Sequence, residues 1–199
     1  MNTVRDTTHC KNTRRQPLRG KIITRGFTLL EILVAVTVVS ILLAIALPSY
    51  SAALGRADCN TLLTALMGSI TDARGAAQNY ESDAILCPSD DGASCSGKAQ
   101  WQNGWIVGVD GNGDNSISGG ESVISRQPGF EENVHMVTSS GRTRLQFQPY
   151  GSNAGSNVTF TLCDRRGESG SSAYVLNNSG HFHEARPTAQ NTAAACAGM

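Results

Sequence analysis

The most constraining feature of the sequence is an apolar run of 21 residues, Phe27 to Leu47, that contains one charged side chain, Glu31. As an α-helix this run would be about 31 Å long, close to the roughly 30 Å hydrocarbon thickness of a bilayer. Residues 1–26 carry seven Lys and Arg side chains and one acidic side chain. Because basic residues mark the cytoplasmic flank of a membrane helix, the sequence predicts a single-pass membrane protein with a cytoplasmic N-terminus.

Two simpler interpretations of this segment stay open. The first is a cleavable secretory signal, since Ala44-Ile45-Ala46 has the small residues of a cleavage site. The mature protein, for example a periplasmic enzyme, would then begin at Leu47, but such signals usually span only about 15–30 residues. The second is a plain signal anchor. It explains the basic flank and the apolar run but not Glu31, because an unpaired carboxylate in a membrane helix costs free energy.

The segment from Arg25 to Val34, RGFTLLEILV, closely resembles the cleavage and methylation motif of type IV prepilins. The resemblance implies that a prepilin peptidase, which is also the methylase, cuts after Gly26 on the cytoplasmic face of the inner membrane. It implies that Phe27 becomes the N-methylated amino terminus and that Glu31 pairs with the amino terminus of a neighbouring subunit. A methylated ammonium and a carboxylate neutralise each other at low dielectric, where either alone is costly.

The apolar run continues into an amphipathic segment. Pro48 follows the run and is expected to bend a helix at that point. Beyond it, apolar residues recur every three or four positions at Leu62, Leu66, Ile70, Ala73 and Ala77. This period is that of one helix face, so the sequence predicts one long helix from about Phe27 to about Asn79. After the basic leader at 1–26, it comprises a transmembrane and assembly segment at 27–48 and an amphipathic continuation at 49–80.

The remaining region, 81–199, has a strand-like pattern and forms the predicted periplasmic globular domain. It contains most of the glycines, with 15 of the 21 between Gly92 and Gly180, which is typical of a turn-rich β domain. Strands are predicted at 105–109, 123–124, 134–137, 144–148, 158–162 and 173–176. The predicted fold class is therefore α+β, with a long N-terminal helix packed on an antiparallel sheet.

The globular region also resembles the H-type pseudopilins and the FimT/FimU minor pilins. The resemblance rests on Cys87–Gly92, Gly104–Val107, Asp110–Asp114 and Thr159–Asp164, which occur in the order of that group. It implies a type IV pilin fold and a structural, non-enzymatic subunit for the assembly or tip of a type IV pilus or a type II secretion pseudopilus. The expected partners are other pilins or pseudopilins, contacted through the N-terminal helix.

Five cysteines follow the leader, and an oxidising periplasm favours disulfides between them. Cys87 and Cys95 form a good local pair across a turn, and Cys163 and Cys196 would tie the C-terminal tail to the sheet. This leaves Cys59 on the helix without a partner, although connectivity cannot be derived from sequence. Zinc is disfavoured because no second Cys or His lies two to four residues from any of these cysteines.

The segment from Asp110 to Glu121 matches the twelve-residue calcium loop. The oxygen ligands would be Asp110, Asn112, Asp114, Ser118 and Glu121. Asn115 stands where this loop usually has glycine, which is tolerable because Asn adopts positive φ more readily than most residues. The alternative is a polar hairpin loop that binds no ion. Calcium is the one cofactor that the sequence suggests.

Four arginines, Arg142, Arg144, Arg165 and Arg166, are candidates for a DNA-binding patch. Some FimT-like pilins are thought to bind DNA through a Gly-Arg-x-Arg motif, and the matching place here, Gly180 to His183, has histidines instead of arginines. Residues 27–199 carry a net charge of −6, whereas DNA binding requires clustered Lys and Arg. DNA uptake is therefore the alternative function, and solvated arginines on an acidic domain are the simpler interpretation. His181 and His183 would share a strand face, where surface histidines are commoner than metal ligands.

Overall fold

The computed structural model describes residues 26–130, 133–139, 142–153 and 157–197, so the predicted leader lies outside the described residues except for Gly26. Helix α1 (Leu29–Tyr80) comes first, eight strands follow, and helix α2 (Ala189–Cys196) comes last. The fold is α+β, as predicted. The chain divides into two compact units, one up to Leu42 and the other from Leu43 onward.

Helix α1 continues without a break across Pro48. Because a proline removes only one backbone hydrogen-bond donor, the hydrogen bonds on either side of it keep the helix continuous. At its start, the Thr28 hydroxyl oxygen accepts a hydrogen bond from the backbone N–H of Glu31 at 3.2 Å. This contact satisfies one of the amides that a helix N-terminus leaves free.

The amphipathic interpretation of the second half of α1 is confirmed. All five residues of the predicted apolar face are buried, and four of them, all except Ile70, are fully inaccessible to solvent. Polar and small residues such as Thr61, Thr64 and Gly68 face outward. The helix period therefore places one apolar stripe on the globular domain.

Within the described ranges, eight strands form two antiparallel sheets, whereas the sequence suggested a single sheet. Sheet 1 has the order β3–β2–β1–β5, with β1 at Ala84–Pro88, β2 at Gly104–Val109, β3 at Val123–Pro128 and β5 at Leu145–Phe147. Sheet 2 has the order β4–β6–β7–β8, with β4 at Val134–Thr138, β6 at Val158–Asp164, β7 at Gly167–Leu176 and β8 at Phe182–Ala185. All neighbouring strands in both sheets run antiparallel, so the fold needs no parallel crossover.

Both sheets contribute to one hydrophobic core beneath α1. Leu86 and Trp105 of sheet 1 and Phe160 of sheet 2 belong to the same buried cluster as the helix stripe. The two tryptophans are core residues, as the sequence indicated: Trp105 donates from its ring nitrogen to the Ser69 hydroxyl at 2.8 Å. Trp101 packs edge-on against Phe160 with a ring-centroid distance of 5.3 Å. The core fixes residues from Leu62 to Ala77 of the helix on the domain.

Candidate assembly site

The N-terminal part of α1 exposes its apolar side chains. The large apolar residues from Phe27 to Leu47 are between 50% and 84% exposed. The helix is long and apolar enough to cross a membrane. Apolar side chains on every face of a helix are typical of a segment that is buried by lipid or by other helices. Together with the basic flank, this surface indicates a membrane-anchored segment.

Glu31 differs from the other polar groups of this segment. The hydroxyls of Thr37 and Ser40 donate to carbonyl oxygens of their own helix, each at 2.8 Å. The Glu31 carboxylate has no hydrogen bond or ion pair with any described residue. Because an ionised carboxylate is costly in an apolar environment, a counter-charge would stabilise Glu31 there.

Two disulfides close the globular domain. Cys87 in β1 is bonded to Cys95 in the loop that follows, with the Cα atoms 5.6 Å apart. Cys163 in β6 is bonded to Cys196 at the end of α2, with the Cα atoms 5.2 Å apart. Cys59 is a free, buried thiol. These are the two pairs that the sequence suggested, and the second holds α2 against sheet 2.

The predicted calcium loop is a compact turn between β2 and β3. Its carboxylates accept hydrogen bonds from loop amides: Asp110 from Gly113 and Asn115 at 2.7 and 2.8 Å, and Glu121 from Gly111 and Ser118, both at 2.9 Å. Asn112 and Asp114 likewise accept from the backbone two residues on. Asn115 has a φ of 62°, the left-handed conformation expected at the glycine position.

Calcium binding by this loop stays a prediction. Among the described residues, no group of three or more His, Cys, Asp or Glu side chains is placed to hold a metal ion. The loop carboxylates instead stabilise the turn through its amides. A calcium titration of the full-length protein in detergent, followed by thermal unfolding, is the check: a raised midpoint supports binding, and an unchanged one contradicts it.

The four candidate DNA-binding arginines do not form one free patch. Arg165 is paired with Asp58 at 3.0 Å, and Arg166 is paired with the buried Asp164. Arg142 precedes β5 and is half-buried, and Arg144 is exposed next to that strand. Because two of the four charges are neutralised by carboxylates, the arrangement offers little to a phosphate backbone. DNA binding stays a prediction without support from the geometry.

A buried ion pair, not anticipated from the sequence, lies where β6 meets β7. Asp164 is fully buried, and Nε of Arg166 donates to its two carboxylate oxygens at 2.9 and 3.0 Å. The Cys59 thiol of α1 donates to the same carboxylate at 3.7 Å. Burial by itself raises the pKa of Asp164, but the hydrogen bonds and charge of Arg166 outweigh burial and hold that pKa below its usual value.

The same surroundings act on Cys59 in the opposite direction. Burial and the nearby Asp164 carboxylate raise the pKa of this thiol from 9.0 to about 12. Cys59 therefore stays protonated at neutral pH and has the character of an inert core thiol. No local pattern could have revealed this cluster, because its two sides, Cys59 and Asp164, are 105 residues apart in the sequence.

Comparison with known proteins gives matches in sequence and in fold. The profile of the family described as type II transport protein GspH matches residues 63–180, and that of the prokaryotic N-terminal methylation motif matches residues 24–47. No curated protein shows significant sequence similarity to the chain.

The solved structures that match are of the type IV minor pilin FimU of Pseudomonas aeruginosa. One crystal form, in space group P21, has 17% identity and a TM-score of 0.52, and the match covers 65% of this chain and 90% of FimU. A second form, in space group P65, has 17% identity and a TM-score of 0.49, with 63% and 91% covered. At this identity the likeness concerns the fold alone. Because the family profile spans more than half of the sequence, the chain belongs to the GspH family.

Proposed function

We propose that this chain is a minor pilin or pseudopilin, a structural subunit that is incorporated into a type IV pilus or a type II secretion pseudopilus. It crosses the inner membrane once, with residues 1–26 in the cytoplasm and the globular domain in the periplasm. A prepilin peptidase cuts after Gly26 and methylates Phe27. The exposed apolar part of α1 then packs with the same part of other pilin-like subunits. The role is structural rather than enzymatic.

One observation carries the proposal. Glu31 is a carboxylate in an apolar, exposed helix and has no partner among the described residues. The amino group created by cleavage before Phe27 is the nearest new positive charge that processing generates, and a second subunit can present it to Glu31. A buried pair of this kind also specifies register, since a displaced subunit would leave both charges unpaired.

The test is a Glu31→Ala variant of the full-length protein, expressed in bacteria that assemble the filament. We expect normal insertion in the membrane fraction, because removal of a charge favours insertion. We expect strongly reduced protein in sheared filaments, measured by immunoblot. Ser40→Ala is the matched control: it removes a polar group of the same segment that is already satisfied by its own helix, and it should assemble normally.

Normal incorporation of Glu31→Ala would contradict the proposal. Deletion of the gene distinguishes the two filament types, because loss of twitching indicates a pilus and loss of exoprotein release indicates a secretion pseudopilus. Absence of the wild-type protein from both filaments would remove the assembly role altogether.

A further inference from the structure

We propose that the β6–β7 turn, Asp164 to Gly167, is a positioning site for assembly that holds helix α1 at Gly55 to Cys59. We refer to it as the anchoring turn. The inference rests on the proposed assembly role, and it assigns to Arg165 and Arg166 a function in orienting the subunit. The anchoring turn acts through the helix and makes no contact with a partner itself.

The first observation is the close approach of Gly55 to Asp164. Gly55 is the most N-terminal of the buried residues of α1. A Cβ atom at this position would lie 3.0 Å from Cγ of Asp164 and 3.2 Å from both carboxylate oxygens. Glycine costs helix stability relative to alanine, so its presence here is explained by the space that the carboxylate occupies.

Gly170 leaves space for the ion pair from the opposite side. A Cβ atom on this residue of β7 would overlap an Asp164 carboxylate oxygen and would lie 2.8 Å from Nε of Arg166. Two glycines, one in the helix and one in the sheet, therefore enclose the carboxylate. The Arg166 guanidinium and the Cys59 thiol supply donors to it, so that the buried charge is compensated.

A second contact holds the same turn to the helix from outside. Arg165 pairs with Asp58 at 3.0 Å, and both side chains are about one-third exposed, at 33% and 37%. Gly55, Asp58 and Cys59 are spaced three and four residues apart, so they lie on one face of the helix. The anchoring turn thus contacts one helix turn through a buried ion pair and through a partly exposed one.

The position of these contacts gives them a consequence for assembly. Gly55 is where the buried face of α1 begins. The anchoring turn therefore fixes the direction in which the helix leaves the globular domain at Gly55. Because neighbouring subunits must present their amino termini to Glu31 in register, the anchoring turn determines whether a folded subunit is competent to join a filament.

The first experiment breaks and then restores the ion pair between Arg165 and Asp58 in the full-length protein. Arg165→Asp places like charges together, and Asp58→Arg combined with Arg165→Asp restores an opposite pair. Partly exposed pairs contribute little to stability, so both variants should fold. We expect a several-fold loss from sheared filaments for Arg165→Asp, at an unchanged membrane level and thermal midpoint, and recovery in the double variant.

The second experiment uses alanine at helical glycines. Gly55→Ala places a Cβ atom in tight contact with the Asp164 carboxylate, so the helix or the carboxylate has to shift, whereas Gly68→Ala and Gly75→Ala are matched controls because a Cβ at either position meets nothing within 4 Å. We expect Gly55→Ala to be lost from filaments and both controls to assemble. Equal loss in the controls would overturn the inference, since the effect would then belong to the outer face of the helix.

The outcomes separate this inference from the proposed function. If wild-type protein enters filaments and Arg165→Asp enters equally well, the positioning role is wrong while the assembly role stands. If the double variant does not recover incorporation into filaments, the inference is overturned. It is also overturned if incorporation falls only in proportion to a lower amount of the variant in the membrane, because the anchoring turn then contributes to stability alone. If Glu31→Ala assembles normally, the proposed function itself fails.

Discussion

The two halves of helix α1 share one secondary structure but differ in where their apolar surface is buried. From Leu62 to Ala77 the apolar residues follow one stripe, and the two sheets of the same chain cover it. From Phe27 to Leu47 apolar residues occupy every face, and their side chains are at least half exposed. A stripe can be covered by one domain, but a helix that is apolar all round requires surroundings on every side.

This difference assigns a separate role to each half. The C-terminal half contributes to the stability of the subunit, because its burial is intramolecular. In the proposed function, the N-terminal half contributes to association with lipid and with other subunits, which would bury its exposed apolar side chains. Substitutions in the two halves should therefore affect different measurements, and the following predictions test that separation, from the largest effect to the smallest.

Truncation of one leucine in each half is the most direct comparison. Leu66 is fully buried, so Leu66→Ala should lower the free energy of unfolding by about 2–5 kcal/mol. Leu33 is 58% exposed, and Leu33→Ala should change the free energy of unfolding by no more than about 0.5 kcal/mol. Denaturant unfolding of the full-length protein in detergent can be followed by tryptophan fluorescence, since Trp101 and Trp105 are both buried. Equal destabilisation by both variants would contradict the separation.

The disulfides extend the comparison to the sheets beneath the C-terminal half. Cys163 and Cys196 are 33 residues apart and Cys87 and Cys95 are eight apart. Chain-entropy arguments give about 4 kcal/mol for the longer loop and about 2.5 kcal/mol for the shorter one. Replacement of each pair by alanine should lower the denaturant midpoint in that order. A larger loss from the shorter loop would show that packing around Cys87, rather than chain entropy, dominates.

The reactivity of Cys59 involves no change in stability and concerns the edge of the buried stripe. Because the pKa of this thiol is about 12, its thiolate fraction at pH 8 should make maleimide labelling about a thousandfold slower than for an ordinary cysteine. Ala53→Cys, exposed two turns earlier, supplies the fast-reacting control. Labelling of both thiols at one rate would show that the helix is not held against Asp164.

The same pKa gives a pH dependence with a defined sign. The unfolded thiol loses its proton near its usual pKa of 9.0, and the folded thiol near 12. The stabilising contribution of Cys59 is therefore complete below pH 9 and is lost as the pH rises from 9 toward 12. The unfolding midpoint should fall over that interval, and it should fall less in Cys59→Ala. An equal decline in both proteins would assign the alkaline sensitivity to other groups.

Sequence reasoning succeeded where a periodic pattern was long. The stripe from Leu62 to Ala77 predicted the buried helix face, and β2, β4 and β6 were expected within a few residues of their observed bounds. Two pairs of cysteines were correctly grouped from their spacing and compartment. In each instance the determining interaction is local, or it involves cysteine, a residue type with few possible partners in this chain.

Sequence reasoning failed where burial removes the pattern or where contacts are distant. Strand β1 is buried at all five positions, so it shows no alternation between polar and apolar residues. Strand β8 and helix α2 are short, and α2 depends on its Thr188 cap and on the disulfide at Cys196. The pairing of Asp58 with Arg165 joins residues 107 apart, which no local spacing can indicate.

We infer that the apolar half of α1, whose Glu31 carboxylate has no partner among the described residues, becomes an assembly helix once the leader is removed before Phe27. The most direct measurement is mass spectrometry of the N-terminal peptide of the protein isolated from filaments or inner membranes. The account predicts a chain that begins at N-methylated Phe27. A mature chain that retains Met1, or one that begins at Leu47 after loss of the apolar helix, would contradict it.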